Sequence, residues 1–299
     1  MGKALAEAFP QARAVFEEVD EALSQKLSAI MWDGPAEDLT LTANTQPALM
    51  AHSLAAMRVL EAEAGLDLSR DAAFVAGHSL GEYSALAAAG AITVGETARL
   101  LRIRGNAMQS AVPVGQGAMA ALLGLEFEAA AEVARAAAQG EVCDVANDNG
   151  GAQVVVSGHK AAVERAVALA QEKGAKRAIM LNVSAPFHCA LMAPAAEAMR
   201  EALAEATVKA PVVPVVANVE AGPLSDPAAI RDALVRQVTG TVRWRESVAA
   251  MAGRGVDTFV EVGAGKVLTG LVKRIAAGAA ASAVGTPEDV AAFKATLQS

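Results

Sequence analysis

The sequence predicts an α/β protein, a hydrolase-like domain whose short parallel sheet is covered by helices and which carries an inserted ferredoxin-like α+β small domain. Three observations predict it. Short apolar runs alternate with helical periodicity at both ends of the chain, the pattern of parallel strands buried under helices. Between residues 114 and 183 the order changes to β-α-β-β-α-β. The run Ala73–Leu86 sets a Gly-x-Ser-x-Gly motif between a buried strand and an Ala/Leu-rich helix. The predicted large domain is therefore 1–113 together with 184–299, and the small domain is 114–183.

The 299 residues suffice to bury a large core plus a smaller one. A net charge of −8 argues against nucleic acid or an anionic membrane as the main partner. Cys143 and Cys189 form neither a disulfide framework nor a metal-ligand spacing. No apolar window is long enough to span a bilayer. Lys3, Glu7, Arg13, Glu17 and Glu18 deny the N-terminus a signal-peptide core. A reduced, cytoplasmic compartment is expected.

Val15, Phe16, Val19, Leu23, Leu27 and Ile30 recur at helical spacing, from Pro10 to Gly34-Pro35, and predict one helix. A second runs from about Thr45 to Ala64, with Pro47 in its first turn and Gly65 as its cap. The strand, turn and helix around Ser79 follow, and then a helix over about 95–111. After the linker 113–117, strands are expected at 118–124, 142–147, 153–157 and 177–183. Helices at 126–138 and 161–173 separate them, and Asn-Asp-Asn-Gly-Gly marks a hairpin. Beyond the insert, a loop leads from Ser184 to Met192 into an Ala/Glu helix. Strands at 214–219 and 256–262, helices at 227–238 and 244–253, and a last long helix opened by Gly263-Ala264-Gly265-Lys266 complete the chain.

The chemistry centres on Ser79. The two glycines of the motif let backbone segments pass closely, so the serine sits on a strained turn. The following helix points its free N–H groups toward any oxyanion formed beside it. A serine hydroxyl needs a base, and four histidines are available. His78 lies in the tight turn and should point away. His52 reads as structural and His159 as a solvated turn residue. His188 sits where the insert rejoins the sheet, a place where clefts form, and is the favoured base. Arg104 carries its charge on an apolar helix face, beside Leu100, Leu101, Ala107 and Met108. Spacing alone fits a structural ion pair and a fork for a substrate carboxylate equally well. Arg102 reads as an ordinary solvated residue.

The segments 77–86 (GHSLGEYSAL), 104–109 (RGNAMQ), 186–192 (PFHCALM), 233–237 (ALVRQ) and 261–271 (EVGAGKVLTGL) together resemble the malonyl-CoA:acyl-carrier-protein transacylases. The resemblance runs over nearly the whole chain. It implies Ser79 as the acyl-accepting nucleophile and His188 as its base. It also implies Arg104 as the clamp on the malonyl carboxylate and the Gln237 backbone carbonyl as the group orienting His188. The Leu80 N–H becomes one oxyanion donor, and Phe187 shapes a pocket that prefers malonyl over methylmalonyl. Malonyl-CoA and holo acyl carrier protein are the implied partners. The coenzyme A thioester is a substrate, with no bound cofactor or metal, and the protein is expected to act as a monomer. The acidic carrier protein is expected to dock on Lys173, Lys176, Arg177, Lys266, Lys273 and Arg274.

Members of this family usually begin with a short strand ending in Gly-Gln-Gly-Ser-Gln, which this sequence lacks. The sequence alone therefore leads to the expectation that the natural polypeptide starts upstream. It also leads to the expectation of a poorly active, aggregation-prone form with a vacant sheet edge beside the nucleophile strand. Two other functions share parts of the pattern. A serine esterase or thioesterase would use the order Ser, acid, His, with Asp144 or Asp148 as the acid. A non-catalytic carrier-protein-binding remnant would keep the surface and lose the chemistry.

Overall fold

The computed structural model describes residues 1–297 and has nine strands among them. These are β1 (Val75–Ala76), β2 (Gly117–Leu123), β3 (Cys143–Asp148), β4 (Gln153–His159), β5 (Arg177–Met180), β6 (Val215–Ala217), β7 (Gly222–Leu224), β8 (Thr258–Val262) and β9 (Ala280–Val284). They form three sheets, ordered β1-β6-β7, β3-β4-β2-β5 and β8-β9.

β1 and β6 run parallel, with Val75 opposite Val215 and Ala76 opposite Val216. β8 and β9 are also parallel. β1 is hydrogen-bonded on one side only, and the β8–β9 pair is a separate sheet. Both nevertheless lie between the same two cores. Val75, Val260 and Val262 pack against the larger core, built around helices Thr42–Ala64 and Val94–Ser110. Phe74, Ala76, Phe259 and Ala281 pack against a second core of Val216, Val242, Trp244 and Val248.

The sheet β3-β4-β2-β5 is wholly antiparallel and has the strand order of a ferredoxin-like unit. Helices Phe127–Ala138 and Lys160–Glu172 cover one face, where Leu122, Val133, Val156 and Val163 are buried. Met119, Ala121, Ala146 and Val155 on the other face meet Leu181 and Phe187, so this unit packs against the segment that carries His188. Backbone hydrogen bonds Val242 N–H to Ala146 O (2.8 Å) and Asp148 N–H to Val242 O (3.0 Å) knit β3 to the segment after Gln237.

Three local expectations fail for physical reasons. The first long helix is two, Pro10–Leu23 and Leu27–Asp33. It breaks at Ser24, whose φ is 48°, and the Asp20 carboxylate then accepts from Ser28 N–H and Oγ at the new helix start. Pro47 is not in the first turn of its helix, which starts earlier, at Thr42. The last long helix is Val267–Ile275, then β9, then Pro287–Leu297. The β9 run Ala-Ala-Ser-Ala-Val has little strand propensity of its own and is held by pairing with β8. β7, likewise unexpected, folds back on β6 and gives that sheet an antiparallel edge.

Candidate active site

β1 delivers the chain to Gly77, and helix Gly81–Ala88 carries it away. Ser79 between them has φ 53°, in the left-handed region. A Cβ on Gly77 would lie 2.0 Å from the Gly81 carbonyl group, so the turn demands glycine there. A Cβ on Gly81 meets nothing within 4 Å, so the close approach rests on Gly77 alone.

Ser79 Oγ lies 2.7 Å from His188 Nε2. His188 Nδ1 lies 2.8 Å from the Gln237 carbonyl oxygen, which requires the Nδ1–H tautomer. Nε2 is then an acceptor aimed at the serine O–H. Burial, and next the charge of Arg104, push the His188 pKa down to about 3. The imidazole is therefore neutral at physiological pH.

Arg104 is 1% exposed, from helix Val94–Ser110. Its Nη2 donates to Ser79 Oγ (3.0 Å) and to Gln237 Oε1 (2.9 Å), and Nη1 donates to Gln46 Oε1 (2.6 Å). The Tyr83 ring lies 5.7 Å from its Cζ. Among the described residues Arg104 forms no ion pair, and its Nε has no partner. A buried guanidinium held only by neutral oxygens keeps capacity for an anion. The charge of the Glu82 carboxyl acts on it, and Gln237 bonds to both groups. Gln237 Nε2 donates to Glu82 Oε2 (2.9 Å) and to Ser79 O (2.9 Å). Burial raises the Glu82 pKa to about 7, against the N–H groups of Asn218 and Gln237 and the charge of Arg104.

The Leu80 N–H, at the start of helix Gly81–Ala88, has no acceptor among the described residues. Phe187 is half-buried and touches both the large core and the inner face of the small sheet.

The other histidines are occupied elsewhere. His78 Nε2 is 2.9 Å from Asn149 Oδ1, and His52 Nε2 is 2.8 Å from Gly285 O. His159 Nδ1 accepts the Val142 N–H (2.9 Å), so it ties two strands together and is not a simple solvated turn residue. Asp144 accepts the Ala190 N–H and Asp148 pairs with Arg245, so neither supplies His188 with the acid of an esterase triad. Arg102 is not simply solvated either: it donates to Asn44 Oδ1 and Gln25 Oε1. Glu261 caps the helix after Gly263-Ala264-Gly265-Lys266, accepting from Leu268 and Thr269 N–H, and within that run a Cβ on Gly263 would lie 2.3 Å from Ser53 Oγ, a packing constraint. Lys173, Lys176, Arg177, Lys266, Lys273 and Arg274 are all exposed. No group of His, Cys, Asp and Glu side chains among the described residues has the arrangement of a metal site.

Gln46, Asn218 and Glu82 join this network without having been singled out from the sequence. Gln46 could have been found as Arg104 was, since it is a polar residue with Leu49 and Met50 as helical neighbours. Asn218 and Glu82 carry no such signal.

The acyl transferase domain family matches residues 1–294. A malonyl CoA-acyl carrier protein transacylase of Escherichia coli (strain K12) is 48% identical over 288 residues, 96% of this chain and 92% of its own. The crystal structure of an acyl-carrier-protein-S-malonyltransferase from Bartonella henselae superposes with a TM-score of 0.97. It is 56% identical, covering 100% of this chain and 95% of that one. A third similar structure shows a type II PKS acyl-carrier protein in complex with its malonyl-transacylase. Its TM-score is 0.95 and its identity 42%, over 99% of this chain and 94% of that one.

Proposed function

The chain belongs to the acyl transferase domain family, and from that premise we propose that it transfers malonyl from malonyl-CoA to the phosphopantetheine thiol of acyl carrier protein. The observation that carries this reading is the pair of contacts on one oxygen. Ser79 Oγ faces a neutral imidazole at 2.7 Å and a guanidinium with no acid partner at 3.0 Å. The first makes a nucleophile, and the second recognises an acyl group that bears its own carboxylate.

In the first half-reaction His188 Nε2 takes the serine proton while Oγ attacks the thioester carbonyl carbon. The Leu80 N–H donates to the oxyanion. Collapse breaks the C–S bond, the coenzyme A sulfur takes the proton from His188, and malonyl remains as an ester on Ser79. In the second half-reaction the carrier-protein thiol gives its proton to His188 and attacks the ester. Ser79 Oγ leaves and is reprotonated. The Arg104 fork pairs with the free malonyl carboxylate throughout, which orients the acyl group and helps keep water from the ester. The cycle uses no bound cofactor, and one chain carries every group named, so a monomer suffices. Incorporation of malonyl from malonyl-CoA and its passage to holo acyl carrier protein test the reading directly; release of free malonate instead identifies an esterase.

His188 must be neutral to act, and its pKa is depressed. The acylation rate is therefore expected to stay level as pH falls through the ordinary imidazole range near 6.5, and to drop only well below it. The profile is read in Glu82→Gln as well, because that carboxyl titrates near neutrality. An acid limb centred near 6.5 in both proteins contradicts a buried His188 base. His188→Ala is expected to slow acylation by about 10²–10⁴-fold.

Phe187, next to the base, sets the space beside the acyl α-carbon. Overpacking by one methyl costs about 1–3 kcal/mol, so methylmalonyl-CoA is expected to react more slowly than malonyl-CoA. Phe187→Ala narrows that gap, and equal rates for the two thioesters in the unaltered protein remove Phe187 from the account.

A further inference from the structure

We propose that Asn218 is the positioning residue that holds Ser79 in its reactive conformation, its carboxamide standing in for a peptide group opposite the turn. The inference rests on the reading of Ser79 as nucleophile. Continuing the parallel register of β1 and β6, in which Ala76 lies opposite Val216, brings Asn218 opposite His78. In a parallel ladder the residue at that place donates to the carbonyl of residue 77 and accepts from the N–H of residue 79. The backbone of Asn218 does neither. Its N–H donates to Glu82 Oε2 (2.9 Å), and its carbonyl accepts from Arg243 N–H (3.0 Å). The side chain makes both bonds instead. Nδ2 donates to Gly77 O at 2.7 Å, and Oδ1 accepts the Ser79 N–H at 2.8 Å.

The chain turns out of the sheet at Ser79, so two backbone groups there lose their ladder partners while lying against a core. Left unpaired, each is costly. A serine at φ 53° is also in a sparsely populated conformation, which persists only where its surroundings over-determine it. Asn218 supplies that constraint. It is completely buried, fixed from behind by Glu82, and Gln237 Nε2 approaches its Oδ1 at 3.3 Å. Only a short carboxamide offers a donor and an acceptor in one plane at this reach. Aspartate accepts but cannot donate when ionised, alanine does neither, and glutamine is one methylene too long. Because Asn218 takes the Ser79 N–H, the Leu80 N–H remains the elbow's donor for the oxyanion. Asn218 itself touches no reacting atom.

The test compares two acylating agents: malonyl-CoA, and phenylmethanesulfonyl fluoride, a small serine reagent without a carboxylate. Asn218→Ala is expected to slow labelling by both to the same extent, about 10²-fold, the scale of a misplaced nucleophile. KM for malonyl-CoA is expected to be unchanged. Arg104→Ala slows malonyl labelling selectively. Asn218→Asp keeps volume and acceptor and loses the donor once its buried carboxyl is ionised, so at alkaline pH it gives the same parallel loss and decides the matter if the alanine variant does not fold. Wild-type sulfonylation in these variants, with or without loss of malonylation, overturns the proposal. Ser79→Ala separates the two readings. If it still labels, the nucleophile is wrong; if it does not label while Asn218→Ala labels normally, only the positioning role fails.

Discussion

Ser79→Ala is expected to abolish formation of the malonyl-enzyme while leaving the fold and its thermal stability nearly unchanged. The loss should be roughly 10⁶-fold in kcat, the scale seen when a serine nucleophile is removed. The fold survives because little depends on the hydroxyl. Alanine occupies the same backbone conformation as serine with similar strain. Without Oγ, Arg104 keeps Gln46 and Gln237 as acceptors, and His188 keeps the Gln237 carbonyl. The Asn218 clasp bonds backbone atoms and is untouched. Mass analysis of the variant after mixing with malonyl-CoA reads the outcome. Stoichiometric malonyl on the variant refutes the assignment of Ser79.

Arg104→Ala is the second large effect, and its signature is selectivity. Breaking a desolvated charge pair by removing one partner costs about 3–5 kcal/mol, which corresponds to roughly 10²- to 10⁴-fold in malonyl transfer. Acetyl has no carboxylate to pair, so its transfer should fall far less. Stability also declines, because the amide oxygens of Gln46 and Gln237 lose a buried donor and a cavity opens beside Tyr83. Arg104→Lys keeps the charge without the planar fork and should recover only part of malonyl transfer. Equal losses for malonyl and acetyl would make Arg104 a structural cation instead.

The parts of this site legible in the sequence are those with local signals. Gly77-His78-Ser79-Leu80-Gly81 announces its turn because close backbone approach leaves glycine as the only choice at position 77. Arg104 stands out because a charge on an apolar helix face is costly anywhere. His188 emerges by elimination among few histidines, and the structure brings it to Ser79. Its orienting group, the Gln237 carbonyl, came only from family resemblance, because a main-chain oxygen has no sequence signature. Asn218 and Glu82 were illegible for a related reason. Asn218 falls inside the strand expected at 214–219, where nothing marks its side chain as a stand-in for backbone, and a glutamate in a first helical turn reads as a partner of the helix dipole. Their buried roles exist only once β6 lies beside β1. In the fold, the β-α-β-β-α-β unit was legible from its hairpin and periodicity. β9 was not, because its alanine run favours helix until β8 is there to pair with.

The central claim is that malonyl passes through an ester on Ser79, and one mass measurement tests it most directly. The intact protein is mixed with malonyl-CoA, its mass is taken, holo acyl carrier protein is added, and both masses are taken again. The account predicts one malonyl group on the peptide containing Ser79, lost from the enzyme and gained by the carrier protein in the second step. Malonyl on the carrier protein with no label ever present on Ser79, or label on Ser79 that ends only as free malonate, contradicts it.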